Sequence, residues 1–362
     1  MSNRVKRKKI GILTAGGDCP GLNAAIRGVG KTAIVEYGMK VYGISDGFTG
    51  LITKDYFELT EHRLSGILTV GGTILGTSRE KPFKKKSNDS GSISKPELIK
   101  EHYDQMGLDC LVCIGGNGTL KTAAKLSDEG LNVIGIPKTI DNDVFGTDQT
   151  FGFDSAVTIA TEAIDRLHST ANSHKRIMVI EVMGHSAGWI ALYSGLAGGG
   201  DVILLPEIPY DEDVIIRYLE ERAEQNKDYS IVVVGEGIQV PGNKKKSAGH
   251  YIAKRIAART DLETRETVLG YTQRGGAPTP ADRILATRYG AYAAKLIAEG
   301  NFGNMVALRC NKIESVPLSE VAGKLNLVTE DHPLLKKARS MGTCFGNNPC
   351  IKKETDLYTG AE

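Results

Sequence analysis

Short apolar runs, rich in β-branched residues, recur along the chain and are separated by segments of helical periodicity. The runs predict β-strands over residues 8–15, 39–44, 108–114, 133–136, 177–182, 202–205, 230–234 and 266–270, with a further strand-like stretch at 305–318. After the first run, apolar residues lie at Leu22, Ala25, Ile26 and Val29, which predicts one apolar helix face. This alternation predicts an α/β protein with two doubly wound domains, whose mainly parallel sheets are flanked by helices.

Polar or glycine-rich turns directly follow three of the predicted strands. They cover residues 16–21 (GGDCPG), 115–119 (GGNGT) and 137–143 (PKTIDND). Glycines before a helix let the backbone approach a phosphate group, and the helix dipole favours the anion. Taken alone, the first turn is equally consistent with a tight connection, because it lacks the endings of a P-loop and of a dinucleotide fingerprint. Since carboxyl ends of parallel strands meet at one sheet edge, the three turns together predict a ligand site there.

Composition and charge narrow the classes of function. The chain has 362 residues, of which 41% are hydrophobic and 24% charged, with a formal net charge of +2. Lys and Arg are spread along the chain, so neither nucleic acid nor a membrane surface is expected as a partner. Residues 1–9 are basic but precede no apolar signal core, which favours a cytoplasmic location. The scattered cysteines favour free thiols.

The stretch at 137–143 and the loop before Arg79 carry the densest candidate chemistry. Residues 137–143 place two carboxylates, an amide, a hydroxyl and an ammonium within one turn. Arg79 follows a loop rich in glycine and hydroxyl groups, a setting in which a guanidinium can hold a transferring phosphoryl group. A solvated surface arginine is the alternative interpretation.

These motifs and several others, in their order along the sequence, resemble those of the 6-phosphofructokinase family. The resemblance covers nearly the whole chain. A single GGNGT-like stretch would not suffice, because NAD kinases and lipid kinases have a similar one. The matching landmarks are residues 16–28 (GGDCPGLNAAIRG), 76–79 (GTSR), 115–119, 137–143, 173–176 (SHKR), 181–188 (EVMGHSAG), 273–276 (QRGG) and 282–283 (DR).

The resemblance implies an enzyme of glycolysis that transfers a terminal phosphoryl group to the 1-hydroxyl of fructose 6-phosphate. It implies Asp141 as general base, Asp143 beside the acceptor, Thr139 near the transferred group and Arg79 as a catalytic cation. The implied ATP contacts are Gly17, Arg79, Glu80, Gly116, Asn117, Gly118, Thr119 and Lys138. The implied sugar-phosphate contacts are Thr139, Ile140, Asp141, Arg176, Met183, Gly184, His185, Glu236, Arg274, Pro280 and Arg283.

Two positions bear on the phosphoryl donor. Pyrophosphate-using relatives carry an aspartate at the place of Gly118, where it would repel a nucleotide phosphate, so the glycine favours ATP. Lys138 matches the lysine of the pyrophosphate enzymes, although some ATP-dependent relatives combine glycine and lysine as this chain does. The resemblance therefore favours ATP, with pyrophosphate as the alternative. A relative that only binds nucleotide or sugar phosphate, and a kinase for another sugar phosphate, are further alternatives.

Magnesium is the implied cofactor. Asn117 replaces the aspartate of the common GGDGT motif, and Mg²⁺ is usually held by carboxylates, phosphates and waters. The metal is therefore expected to rest mainly on ATP phosphates, waters and Asp141 or Asp143, with Asn117 a weaker candidate ligand.

The resemblance also implies a domain plan and an assembly. The larger, nucleotide-binding domain would comprise residues 1–152 with about 282–332, and the smaller, sugar-phosphate-binding domain residues 153–281. Residues 333–362 form a C-terminal tail, expected to be irregular from residue 342 onward. A homo-oligomer is implied, with a tetramer the expected form, in which Arg176 and Arg274 complete the active site of a neighbouring subunit.

Overall fold

The chain forms two compact units, each with its own sheet. The computed structural model describes residues 7–84, 93–242 and 247–347. The first unit contains the described residues up to Ser155 together with Arg274–Asn326, and the second contains the described residues of Ala156–Gln273 together with those from Leu327 onward. The two units are defined by the packing of the chain alone. That the phosphoryl donor and the sugar phosphate bind to different domains stays a prediction.

Strands and helices alternate along most of the chain. The strands are β1 Lys9–Ala15, β2 Lys40–Ile44, β3 Tyr56–Glu58, β4 Cys110–Gly115, β5 Val133–Pro137, β6 Ile177–Val182, β7 Val202–Leu204, β8 Ser230–Gly235, β9 Thr264–Val268, β10 Asn304–Arg309 and β11 Lys312–Pro317. The helices are α1 Leu22–Val35, α2 Phe48–Thr53, α3 Lys95–Met106, α4 Asn117–Asp128, α5 Phe153–His174, α6 Trp189–Ala197, α7 Glu212–Glu224, α8 Ala248–Arg259, α9 Pro280–Glu299, α10 Leu318–Val321 and α11 Pro333–Ser340. A short 3₁₀ helix covers Gly270–Arg274.

The first unit is built on a seven-stranded sheet with the order β11-β10-β5-β4-β1-β2-β3. Its inner strands are parallel, and only the outer pairs, β10 with β11 and β2 with β3, are antiparallel. Ala15 of β1 pairs with Gly115 of β4, and Gly115 in turn pairs with Pro137 of β5. The three strands therefore end at the same level, which brings their following turns to one sheet edge.

Helices α1 and α9 pack closely because each presents a glycine to the other. A Cβ at Gly28 would lie 2.8 Å from the carbonyl oxygen of Thr287, and one at Gly290 would lie 2.6 Å from that of Ala25. No side chain fits at these distances. This contact fixes α1, and hence the turn that precedes it, against the middle of a helix far away in sequence.

The second unit has a fully parallel four-stranded sheet with the order β7-β8-β6-β9. The segment after α11 extends this sheet, since Cys344 bridges Val202 in parallel. The Ile203 N–H donates to the Cys344 carbonyl at 2.9 Å, and Phe345 beside it is only 2% exposed. The described residues 342–347 otherwise lie in no helix or strand, as expected, but the bridge at Cys344 attaches this irregular segment to the edge of β7.

The predicted fold class is confirmed, and the differences are local. The stretch predicted as one strand at 305–318 contains two, because Cys310 and Asn311 both have positive φ values, 46° and 63°, and turn the chain back. Strand β9 begins at Thr264, two residues before the predicted start. Cys19, Cys110, Cys113 and Cys310 are free thiols, as expected, whereas Cys344 is disulfide-bonded, which corrects that expectation. Among the described helices, none is long and apolar enough to cross a membrane.

Candidate active site

The glycine turn after β1 is tied to the loop that precedes Arg79. Gly16 has a φ of 88°, which a residue with a Cβ adopts only with strain. Its N–H donates to the Ser78 carbonyl at 2.9 Å, and the Thr77 hydroxyl donates to the Gly16 carbonyl at 2.7 Å. These reciprocal bonds hold the start of α1 and the segment leading to Arg79 together, while the Arg79 side chain itself is exposed.

Sequence reasoning missed Asn23, which supports the same loop from α1. Asn23 is 1% exposed; its Oδ1 accepts from the Ile74 N–H at 2.8 Å, and its Nδ2 donates to the Val70 carbonyl at 3.0 Å. Burying an amide that forms hydrogen bonds with backbone groups costs little folding free energy. Leaving those backbone groups buried without a partner would destabilise the fold considerably. The available signal was a polar residue within the apolar first turn of a predicted helix.

The turn after β4 places an amide oxygen in the site. Asn117 is the first residue of α4, and its Nδ2 donates to the Asp143 carbonyl at 3.2 Å. Its Oδ1 is buried and accepts no hydrogen bond from any residue that the structure describes. Gly118 lies beside it in open space, since a Cβ there would meet no described heavy atom within 4 Å. The turn therefore offers an acceptor oxygen next to room for a ligand.

Lys138, at the end of β5, is buried and connects the glycine turns of β1 and β4. It is 3% exposed; its Nζ donates to the Gly17 carbonyl, and its backbone N–H donates to the Gly115 carbonyl at 3.0 Å. Burial lowers the pKa of the Lys138 ammonium. The guanidinium of Arg274 lies directly against Gly17, where a side chain would collide with it. Two cationic groups are thus placed around one glycine turn.

The two candidate catalytic carboxylates follow Lys138 on a constrained loop. The Thr139 hydroxyl donates to Asp141 Oδ2 at 3.2 Å and accepts from the Asp141 N–H at 3.1 Å. Asp141 and Asp143 are partly exposed, whereas the Ile140 side chain is only 2% exposed. Any contact of Ile140 with a ligand would therefore come from its backbone.

In the second unit, one carboxylate shapes the loop after β6. Glu236 Oε1 accepts from the backbone N–H groups of Gly184 and His185, at 3.2 and 2.8 Å. Gly184 and His185 both have positive φ values, 146° and 53°. The Met183 N–H donates to Gln273 Oε1 at 2.8 Å. The predicted residues Met183, Gly184, His185 and Glu236 are therefore brought together, and the His185 side chain is exposed.

The other predicted arginines and Glu80 have partners of their own. Arg176 pairs with Glu263 through Nε and Oε2 at 2.8 Å, and this hydrogen bond lowers the pKa of the Glu263 carboxyl. Arg283, in the first turn of α9, donates through Nε to the Pro278 carbonyl at 2.8 Å. Helix α9 begins at Pro280. Glu80 forms an ion pair with Lys95 at 2.8 Å.

At the sheet edge of the first unit, glycine turns, helix starts, a buried lysine and two carboxylates converge, a combination that can hold phosphate groups and accept a proton. The predicted residues assembled there are Gly17, Gly116, Asn117, Gly118, Thr119, Lys138, Thr139, Asp141, Asp143 and Arg274.

Comparison with known proteins identifies similar sequences and structures. The chain is 64% identical over 338 residues to the ATP-dependent 6-phosphofructokinase 3 of Bacteroides thetaiotaomicron, covering 93% of this chain and 100% of that protein. It is 48% identical over 336 residues to the pyrophosphate-fructose 6-phosphate 1-phosphotransferase of Amycolatopsis methanolica, covering 88% and 96%. The T-state crystal structure of Pichia pastoris phosphofructokinase superposes with a TM-score of 0.80 at 34% identity, covering 89% of this chain and 36% of that one.

The family model for phosphofructokinases matches residues 9–297, a span that includes every motif of the candidate site. Because both this model and relatives of nearly equal length match most of the sequence, the chain belongs to the phosphofructokinase family.

Proposed function

We propose that this protein is an ATP-dependent 6-phosphofructokinase, which transfers the terminal phosphoryl group of ATP to the 1-hydroxyl of fructose 6-phosphate. The observation that carries this proposal is the convergence of the turns after β1, β4 and β5, which puts the 137–143 carboxylates beside the phosphate-binding backbone. Strong similarity to an ATP-dependent 6-phosphofructokinase supports it.

In this reaction Asp141 takes the proton of the attacking hydroxyl. Its Oδ2 already accepts a hydrogen bond from Thr139, which orients the carboxylate. General base catalysis of this kind contributes roughly 10² to 10⁴ in rate. Asp143 orients the acceptor, while Arg79 and the glycine turns stabilise the charge on the phosphoryl oxygens. Arg176, Arg274 and Arg283 hold the sugar phosphate, with Met183, Gly184, His185 and Glu236 around the sugar.

The residues present fit a magnesium ion. The Oδ1 of Asn117, buried and without a hydrogen-bond partner among the described residues, would be a neutral oxygen ligand, and Asp141 and Asp143 follow on the loop that Asn117 contacts. Within the described residues, no cluster of three or more His, Cys, Asp or Glu side chains is placed to hold a metal ion. Bound there, magnesium would neutralise charge on those phosphates.

A pyrophosphate-dependent enzyme is the second candidate, because Lys138 matches the lysine of pyrophosphate enzymes. In this structure Lys138 is buried, and its ammonium is engaged with the Gly17 carbonyl. This arrangement favours a role in shaping the turn over direct donor selection. The open space at Gly118 accommodates a nucleotide, and ATP remains the preferred donor.

The proposal includes a cytoplasmic homo-oligomer, with a tetramer the preferred form and an active site shared between subunits. The donor would bind the larger domain, residues 1–152 with about 282–332, and the sugar phosphate the smaller one, residues 153–281.

The deciding experiment is the initial rate of fructose 1,6-bisphosphate formation from fructose 6-phosphate and Mg²⁺, with either ATP or pyrophosphate. We expect turnover with ATP. Turnover with pyrophosphate alone would establish the second candidate, and failure with both donors would refute the proposed function.

A further inference from the structure

Asn142, between the two candidate catalytic aspartates, has a conformation and a set of contacts that the proposed chemistry does not use. Its φ is 52°, in the left-handed region that asparagine tolerates better than most residues with a Cβ. It is 5% exposed, whereas Asp141 and Asp143 on either side are partly exposed. Its side chain therefore lies in the protein interior while its neighbours remain accessible.

The Asn142 amide is held by the irregular segment that follows the loop. Its Oδ1 accepts from the Thr150 N–H at 2.8 Å and from the Thr150 hydroxyl at 3.3 Å, and its Nδ2 donates to the Asp148 carbonyl at 3.4 Å. Thr150 is completely buried, and its hydroxyl also lies 2.7 Å from the Thr139 carbonyl, to which it can donate. Both ends of the aspartate loop are thus fixed to one threonine.

A second set of bonds holds the backbone of the same loop from outside. The Asn142 carbonyl accepts from Asn326 Nδ2 at 3.1 Å, and the Asp143 carbonyl accepts from the Asn326 N–H at 2.8 Å. The Asp143 carbonyl also accepts from Asn117 Nδ2 at 3.2 Å. With its backbone held on both sides, the loop has little freedom to move Asp141 or Asp143.

We propose that Asn142 is a positioning residue for phosphoryl transfer, which acts with Thr150 to hold Asp141 and Asp143 in reacting geometry. This inference rests on the proposed function. Asn142 does not touch the reacting atoms; it selects one backbone conformation for both carboxylates. Misplacement of a catalytic group by about 1 Å can cost roughly 10²-fold in rate.

Asn142→Gly is the informative variant, because glycine accepts the positive φ but removes every side-chain bond. We expect kcat to fall by about 10²-fold, with much smaller changes in KM for ATP and fructose 6-phosphate. Amide hydrogen exchange of residues 139–150 should accelerate while exchange elsewhere is unchanged. Thr150→Val should reproduce the loss of kcat, and Thr150→Ser, which keeps the hydroxyl, should restore most of it.

Asn226→Gly is the matched control, since Asn226 also has a positive φ, 59°, but is exposed on the second unit. It should retain kcat. Wild-type kcat in Asn142→Gly, or unchanged exchange over residues 139–150, would overturn the positioning role while the proposed function stood. A wild-type protein inactive with both donors would overturn both, so the two failures are distinguishable.

Discussion

Gly118 is the single position at which donor choice is most accessible to experiment. A Cβ there would meet no heavy atom within 4 Å among the described residues, so substitution need not disturb the fold. The adjacent Asn117 Oδ1 is buried and unpaired among the described groups, and an added carboxylate at position 118 would lie beside the turn that we propose to bind the nucleotide. A negative charge should therefore act on the donor and not on the protein.

Gly118→Asp is predicted to lower kcat/KM for ATP by roughly 5- to 150-fold, because a like-charge contact of this kind costs on the order of 1 to 3 kcal/mol. Steady-state rates with ATP and with pyrophosphate measure this. Gly118→Ala tests size alone and should keep ATP turnover near that of the wild type. An equal loss in the alanine variant would show that space, not charge, determines donor binding at this position.

At the scale of elements, a buried carboxylate joins the starts of α5 and α9. Asp282 is completely buried, and its Oδ2 accepts from the Ser155 N–H at 2.8 Å and from the Ser155 hydroxyl at 2.6 Å. Thr279 caps α9 by accepting from the Asp282 N–H and also donates its own N–H to the Ser155 hydroxyl at 3.0 Å. Burial raises the pKa of Asp282 to about 6, although the Ser155 hydrogen bonds oppose the shift.

The raised pKa predicts a pH dependence of folding stability. The folded state holds the Asp282 proton more tightly than the unfolded chain, whose aspartate pKa is about 4, so stability falls as pH rises from about 4 to about 6. The full effect, present above pH 6, is about 3 kcal/mol. Asp282→Asn should flatten this part of the curve when the free energy of unfolding is measured by urea denaturation at several pH values.

Ser155→Ala provides the matched test of cause, because it removes one hydrogen bond that favours the ionised Asp282. The decline in stability should still begin near pH 4, where the unfolded aspartate titrates, but should extend to higher pH and become larger. If Asp282→Asn shows the same dependence of unfolding free energy on pH as the wild type, the Asp282 carboxylate does not titrate as its burial implies.

At the scale of the whole molecule, the proposed function has each active site formed by residues of two subunits. Arg176 lies in the second unit and pairs with Glu263 of its own chain, while Asp141 lies at the sheet edge of the first unit. Family resemblance implies that Arg176 serves a neighbouring subunit. A shared site of this kind can be detected by mixing subunits that carry different inactivating substitutions.

We predict that Asp141→Ala and Arg176→Ala, each nearly inactive alone, regain activity when they are unfolded, mixed and refolded together. In a shared site, some mixed pairs combine an intact Asp141 from one subunit with an intact Arg176 from the other. Fructose 1,6-bisphosphate formation, measured beside sedimentation of the same samples, tests this. Mixed oligomers without recovered activity would place both residues in one subunit's site.

The agreement between sequence and structure is closest where a local pattern decides the outcome. Periodic apolar residues predicted β1, α1, β4 and β5, because burial of one helix face or of a whole parallel strand is a property of the segment itself. The same patterns placed Gly16, Gly115 and residues 137–143 at strand ends, and hence at one edge.

Contacts between distant segments were beyond the reach of such patterns. The roles of Asn23 and Asp282, and the pairing of Cys344 with β7, depend on partners 47 or more positions away along the chain. Hydrophobic periodicity along the chain does not predict contacts between such distant residues. The turn at Cys310 and Asn311 was missed because neither residue is a glycine.

By itself, the sequence determined the fold class and the location of the candidate phosphate-binding turns, since both follow from local spacing and residue type, while its ordered motifs indicated the family by resemblance. Only the tertiary structure decided that Lys138 is buried against Gly17, that Asn117 presents an unpaired oxygen, and that Asn142 holds the aspartate loop. The physical reason is that burial and hydrogen bonding belong to the packed assembly of segments, and no single segment specifies its partners.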